Sequence, residues 1–170
     1  MQIRYFDLME NAMSITYADL QHALKEKRQA LDTLKQELNA QIITLVEEYE
    51  KSLCLKQTHL NIKIHQCDVS VNPAYGQLPR VEILRRTGVI QQDPELGKHV
   101  KFTLLTRIGE DVCLKPDAEI EVEIRVAMGS DGYIVEVDKR QLQIPQNGGS
   151  TAYDEVCGYI KQQVQSICYA

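Results

Sequence analysis

Several residue types that commonly carry a core or a reaction are scarce in this sequence of 170 residues. Tryptophan is absent and aromatic residues make up only 6% of the chain, so we expect a core of leucine, isoleucine and valine. The five cysteines include no C-x-x-C pair, and their odd number argues against a disulfide framework. No apolar run is long enough to span a bilayer, and the first residues lack a signal-peptide pattern. We therefore expect a cytoplasmic protein without a membrane partner.

Basic residues are also fewer than acidic residues, 19 against 24. The net charge is −5 and the pI is about 5.4, whereas a nucleic-acid-binding protein needs a basic face to displace counterions. We therefore expect an acidic protein with no nucleic-acid partner.

Motifs for catalysis and cofactor binding are missing from the sequence. No histidine lies in H-E-x-x-H spacing, and the P-loop, G-x-G-x-x-G and G-x-S-x-G patterns are absent. His65 and Cys67 would share one strand face, but two ligands do not make a metal site. We predict no catalytic residues, no cofactor and no metal, and expect a protein that is not an enzyme.

Glycine and proline are absent before Pro73, which predicts uninterrupted structure first and short, turn-punctuated elements afterwards. Apolar residues at helical spacing predict a long helix from Tyr17 to Leu53, opened by a capping box of Thr16 and Asp19. A second helix is predicted over 150–169, with Ser150 or Thr151 as its N-cap.

Alternating apolar residues predict the strands between these helices. Strands are predicted over 60–71 with a bulge, then over 80–86, 98–108, 119–128, 133–140 and 141–144, with 87–97 as a loop. The predicted fold is a single two-layer α+β domain over 1–170. Residues 1–55 are helical, 58–145 form an antiparallel sheet of about five strands, and a long N-terminal and a C-terminal helix (150–169) flank that sheet.

Three glutamates, Glu119, Glu121 and Glu123, alternate with apolar residues on one predicted strand. Carboxylates two residues apart on a strand are separated by roughly 6.8 Å and diverge into water, whereas a divalent ion needs converging oxygens. We therefore interpret this acidic row as a solvated, charge-paired sheet face; the alternative is a weak contact with a cation or a basic partner near Glu123 and Asp138. The hairpin register that we predict pairs Arg125 with Glu136, Glu121 with Arg140, and Glu123 with Asp138.

The long helix is the feature that most directly predicts a function. It would be about 55 Å long, against about 26–34 Å for the strands, and its apolar stripe continues along its whole length. The part that the sheet does not cover needs another cover, from the chain itself, from a second copy or from a different protein.

From this stripe we predict a non-catalytic protein-interaction module that self-associates, such as an adaptor, a client chaperone or a partner-neutralising protein. Its partner would be another protein or a second copy. One alternative is a small-molecule-binding or hydrolytic domain with an apolar pocket between helix and sheet, and another is a structural subunit of a larger assembly. The candidate interface residues are Leu24, Leu31, Leu34, Leu38, Glu119, Glu121 and Glu123.

Overall fold

The computed structural model describes residues 15–53, 80–86, 88–109 and 117–170. The predicted strand over 60–71, with His65 and Cys67, lies outside these residues. In chain order the described elements are α1 (Tyr17–Ser52), β1 (Val81–Arg86), β2 (Gln91–Asp93), β3 (Gly97–Ile108), β4 (Ala118–Met128), β5 (Gly132–Val137), β6 (Arg140–Pro145), a 3₁₀ turn (Ser150–Tyr153) and α2 (Asp154–Cys168). The predicted α+β class, with an antiparallel sheet and a helix at each end of the chain order, is confirmed.

The chain divides into two compact units, Met1–Gln36 and Glu37–Ala170. The first contains the N-terminal part of α1, and the second contains the rest of α1, the strands and α2. The single domain predicted over 1–170 stays a prediction. None of the described helices has the length and hydropathy required to cross a membrane.

The predicted capping box opens α1. The backbone N–H of Thr16 donates to Asp19 Oδ2 at 2.8 Å, and the Asp19 N–H donates to Thr16 Oγ1 at 3.3 Å. This reciprocal pair satisfies N–H groups that the first turn of a helix leaves without partners. The Thr16 hydroxyl and backbone N–H also hold the pKa of Asp19 below its usual value.

The described strands form one antiparallel sheet in the order β1-β3-β4-β5-β6, and β2 also pairs with β3. The strand β2 corrects the prediction of a loop over 87–97, because Gln91 pairs with His99 and Asp93 with Gly97. The polar residues of β2 do not alternate with apolar ones, so the sequence pattern does not predict a strand there. The strand forms through its hydrogen bonds with β3. A register shift between Ile83 and Arg85 marks a bulge in β1.

The hairpin of β4 and β5 has the predicted register at its turn, with Arg125 opposite Glu136. The other two predicted pairs, Glu121 with Arg140 and Glu123 with Asp138, are wrong because β5 ends at Val137. Asp138 and Lys139 adopt φ of 46° and 65° and turn the chain directly into β6, where Arg140 pairs with Val137. Two central residues with positive φ define the tight hairpin turn that matches strand twist.

The core lies on one face of the sheet and under parts of both helices. Alternate residues of β4 are buried and pair with buried residues of β3, as in Ile124 with Phe102 and Val122 with Leu104. The C-terminal part of α1 contributes a wide stripe of buried residues: Leu38, Gln41, Ile42, Leu45, Val46 and Tyr49. Burying one such aliphatic side chain stabilises the fold by about 1.5–3 kcal/mol.

The predicted N-cap of the C-terminal helix needs correction. Its N-cap is Tyr153, without a side-chain capping bond, because residues 150–153 form a 3₁₀ turn before the helix. The buried stripe is Val156, Cys157, Ile160 and Val164, whereas Ile167 and Cys168 are exposed. Asp154 and Glu155 lie in the first turn, where negative charge complements the helix dipole.

Candidate functional site

An exposed apolar face lies on the N-terminal part of α1. Tyr17 is 75% exposed, Leu20 59% and Leu24 50%, and Ile15 just before the helix is 58% exposed. Large apolar side chains on the surface are ordinary when scattered, but these follow one side of one helix. The face therefore resembles the contact surface of an amphipathic helix.

The predicted interface leucines have different surroundings. Leu24 is exposed, Leu31 and Leu34 are half-buried, and Leu38 is fully buried in the second unit. Leu38 therefore belongs to the core, and Leu24, Leu31 and Leu34 are the members of the set that a partner could contact.

The spacing of the apolar residues changes along α1. From Tyr17 to Leu34, with Lys27 in the place of one apolar residue, the positions follow alternating steps of three and four. We call this set the seam: Tyr17, Leu20, Leu24, Lys27, Leu31 and Leu34. From Leu38 onward the buried stripe widens to include neighbouring positions such as Gln41 with Ile42 and Leu45 with Val46. A narrow seam of that kind fits one other helix, whereas a wide stripe fits a globular core.

The predicted acidic row is bound by basic residues on the neighbouring strand. Lys101 Nζ lies 2.5 Å from Glu123 Oε2, and Arg107 Nε lies 2.8 Å from Glu119 Oε1. Glu121 is exposed and, with Glu123, lines a depression of about 290 Å³. Within the described ranges, no group of three or more histidine, cysteine, aspartate or glutamate side chains is arranged to hold a metal ion.

Arg107 connects three strands. Its side chain on β3 is only 7% exposed and contacts Glu119 on β4 and Glu82 on β1, the latter at 2.9 Å. Both carboxylates are about half exposed, so the arginine has two charged partners while its own head group is shielded from water. Charge-assisted hydrogen bonds of this kind fix the relative positions of the strands.

A pocket of about 350 Å³ lies in the second unit, between the end of α1, β3 and α2. Its deep wall includes Tyr49, whose hydroxyl lies 3.1 Å from Thr106 Oγ1 on β3. Lys161 on α2 borders the pocket and donates to the carbonyl oxygen of Ser52 at 3.3 Å. These two bonds tie α1 to the sheet and to α2, and so fix the walls of the pocket.

The described thiols differ in their chemistry. Burial raises the pKa of Cys157 to about 11, since a thiolate is poorly solvated there. Cys168 is exposed and borders the pocket. A thiol must ionise to act as a nucleophile, so Cys157 is a core residue rather than a reactive group.

The sequence carries no signal for this pocket, because its walls come from residues far apart in the chain, such as Leu53, Arg80, Ile108 and Val164. A cysteine within an apolar helical stripe, as at Cys168, is typical of a core and gives no indication of a pocket. Comparison with known proteins adds nothing to this geometry: no protein-family model, no curated protein and no solved structure matches the chain.

Proposed function

We propose that this chain is a non-catalytic protein-interaction module that self-associates through the seam on the N-terminal part of α1. The observation that carries the proposal is the exposure of Tyr17, Leu20 and Leu24 on one side of the helix. Leu20 and Leu24 are each about half exposed, so covering the rest of each would contribute about 1–2 kcal/mol to association, before the cost of bringing two chains together.

The charge of Lys27 favours one relative orientation of the two helices over the other. Lys27 takes the place of an apolar residue at the centre of the seam. In a parallel pair Lys27 would face Lys27 of the second copy, and a polar residue at such a position specifies register and partner orientation at a cost in stability. A parallel homodimer is therefore disfavoured.

An antiparallel pair removes this repulsion. Leu20 then packs beside Leu31 of the second copy, Tyr17 beside Leu34, and Leu24 beside Lys27, whose aliphatic stem covers the leucine while its ammonium reaches water. The second copy is therefore the occupant that the seam fits, in the antiparallel orientation.

The residues that flank the seam favour the same arrangement. Ala23 and Ala30 lie beside it on one side, and Gln21 and Arg28 on the other. In the antiparallel pair the two alanines face each other, which permits close approach of the backbones. Gln21 faces Arg28, so no like charges meet along the edges of the contact.

Solution mass measured by light scattering over a wide concentration range tests self-association. We expect a dimer that Leu20→Glu weakens by about 100-fold or more, because two leucine contacts are lost per dimer. Leu24→Glu should weaken it by less than about tenfold, because its carboxylate faces Lys27 of the second copy. Gln29→Glu adds the same charge on the opposite side of the helix and should leave the dimer unchanged.

Three results would contradict the proposal. A monomer at every concentration would show that the chain does not self-associate, and a different protein would then be the expected partner of the seam. Equal weakening by Leu20→Glu and Leu24→Glu would exclude the antiparallel arrangement. Loss of helical circular dichroism in Leu20→Glu would show that the seam is part of a core.

A further inference from the structure

We infer that the pocket between the end of α1, β3 and α2 binds a small anionic amphiphile, with an apolar body of about seven carbons and a carboxylate head. This inference does not depend on self-association, because the pocket lies in the second unit and the seam in the first. The ligand class follows from the chemistry of the walls, from the charges at the rim and from the volume.

The walls supply an apolar enclosure from three directions. Tyr49 and Leu53 come from the end of α1, Ile108 from the end of β3 and Val164 from α2. Tyr49 and Val164 are buried, whereas Ile108 is 37% exposed, so the pocket has a closed inner end and an open mouth. Such a shape accepts a ligand whose apolar end enters first.

Among the described residues, the charged ones that line the pocket are all basic. Arg80, Arg107 and Lys161 line it, and no carboxylate is among its lining residues in the described part of the chain. Arg107 is neutralised by Glu82 and Glu119. The positive charge that a ligand would meet therefore comes from Arg80 and Lys161, in a chain whose net charge is −5.

The geometry of Lys161 suits a carboxylate ligand. Its ammonium donates to the carbonyl oxygen of Ser52 at 3.3 Å. An ammonium has three donors, so this bond positions the group and leaves donors for an anion. Because the neighbouring wall is apolar, a carboxylate held there is less screened than one on an open surface.

The volume limits the size of the ligand. About 350 Å³ is at the lower end of the range for small-molecule pockets. At roughly 30 Å³ for each water-sized group, it holds on the order of ten non-hydrogen atoms. Octanoate has that size, and a ligand so small should bind with a Kd on the order of 0.1–1 mM.

The test is a titration of the ¹⁵N-labelled full-length chain with octanoate, followed through the amide signals of Gly109 and Val164, which line the pocket. Octan-1-ol has the same number of carbon atoms and no charge, and octylammonium carries the opposite charge. We expect saturable shifts with octanoate, binding weaker by about fivefold or more with octan-1-ol, and no saturable shift with octylammonium.

Two variants and one control variant assign the binding to this pocket. Lys161→Met keeps the stem but removes the charge, and should weaken octanoate binding by about fivefold to tenfold while leaving octan-1-ol unaffected. Lys98→Met removes the same charge from an exposed site on β3 that does not line the pocket, and should change neither. Ile108→Trp fills the mouth and should weaken both probes by more than about tenfold.

A variant is folded if its amide signals from residues outside the pocket keep their wild-type positions. The inference is overturned if octanoate gives no saturable shift, or if octan-1-ol binds as tightly as octanoate. It is also overturned if Lys98→Met weakens octanoate as much as Lys161→Met does, because the charge effect would then be non-specific.

Discussion

Glu50 is expected to cost stability at neutral pH, so replacing it by glutamine should stabilise the chain. Its Oε1 atom is buried and has no hydrogen-bond partner among the described residues. Burial, and secondarily the charge of Glu47, raise the pKa of Glu50 above its ordinary value of 4.5. The carboxylate also lies in the last turn of α1, where the helix dipole disfavours negative charge.

The expected gain is about 1 kcal/mol at pH 7.5. Removing the unfavourable interaction between the Glu50 carboxylate and the helix dipole contributes about 0.3–1 kcal/mol. Burying the carboxylate without a hydrogen-bond partner costs about 1–3 kcal/mol; glutamine removes the charged part of that cost but still places a polar amide atom there, and Glu50 is only half-buried, so we count only a fraction. In a chain of this size the gain raises Tm by about 2–4 °C.

The pH dependence follows from the raised pKa. The protonated form of Glu50 is favoured in the folded state, so wild-type stability is undiminished below pH 4.5 and falls as pH rises through the folded-state pKa. Glutamine mimics the protonated form at every pH. The advantage of Glu50→Gln should therefore be present at pH 7.5 and absent at pH 3.5.

Urea unfolding at pH 7.5 and 3.5, followed by far-UV circular dichroism, measures this difference. Glu47→Gln removes the same charge from an exposed position three residues away and should change stability by less than about 0.5 kcal/mol. The reasoning is refuted if Glu50→Gln is destabilising at pH 7.5, or if its advantage persists at pH 3.5.

Three further predictions follow from local features of the second unit. Iodoacetamide at pH 7.5 should modify Cys168 within minutes and leave Cys157 largely unmodified by peptide mass spectrometry; equal rates would contradict the burial that raises the pKa of Cys157 to about 11. The double change Asp138→Asn, Lys139→Gly should stabilise the chain by about 0.5–1 kcal/mol in urea unfolding, because both residues have positive φ; a loss of stability would refute this. Tyr49→Phe should destabilise by about 1 kcal/mol in the same assay, since it removes the bond to the Thr106 hydroxyl, and an unchanged midpoint would show that this bond is energetically neutral.

The elements that the sequence predicts well are those whose periodicity and burial agree. The long helix, the C-terminal helix and strands β3 to β5 have one apolar face each, and that face fixes both the type of element and the register near Arg125 and Glu136. The capping box at Thr16 and Asp19 is equally local, so its residue types are sufficient to predict it.

The features that the sequence does not predict depend on partners distant in the chain. The strand Gln91–Asp93 has no apolar alternation and exists through its pairing with β3. The turn at Asp138 and Lys139 contains no glycine or asparagine, so alternation alone extends β5 past its observed end. The pocket is lined by residues as far apart in the chain as Leu53 and Lys161, and no local sequence pattern predicts that they line the same pocket.

The bonds that anchor the C-terminal part of α1 also set an order of events during synthesis. Tyr49 meets its partner Thr106 57 residues later, and Gln41 meets Tyr153 112 residues later. At about 5–20 residues per second, a ribosome takes roughly 6–22 s to add the residues between Gln41 and Tyr153. The apolar stripe of α1 is therefore made well before its cover, and a nascent chain interrupted within the sheet would present that stripe to chaperones.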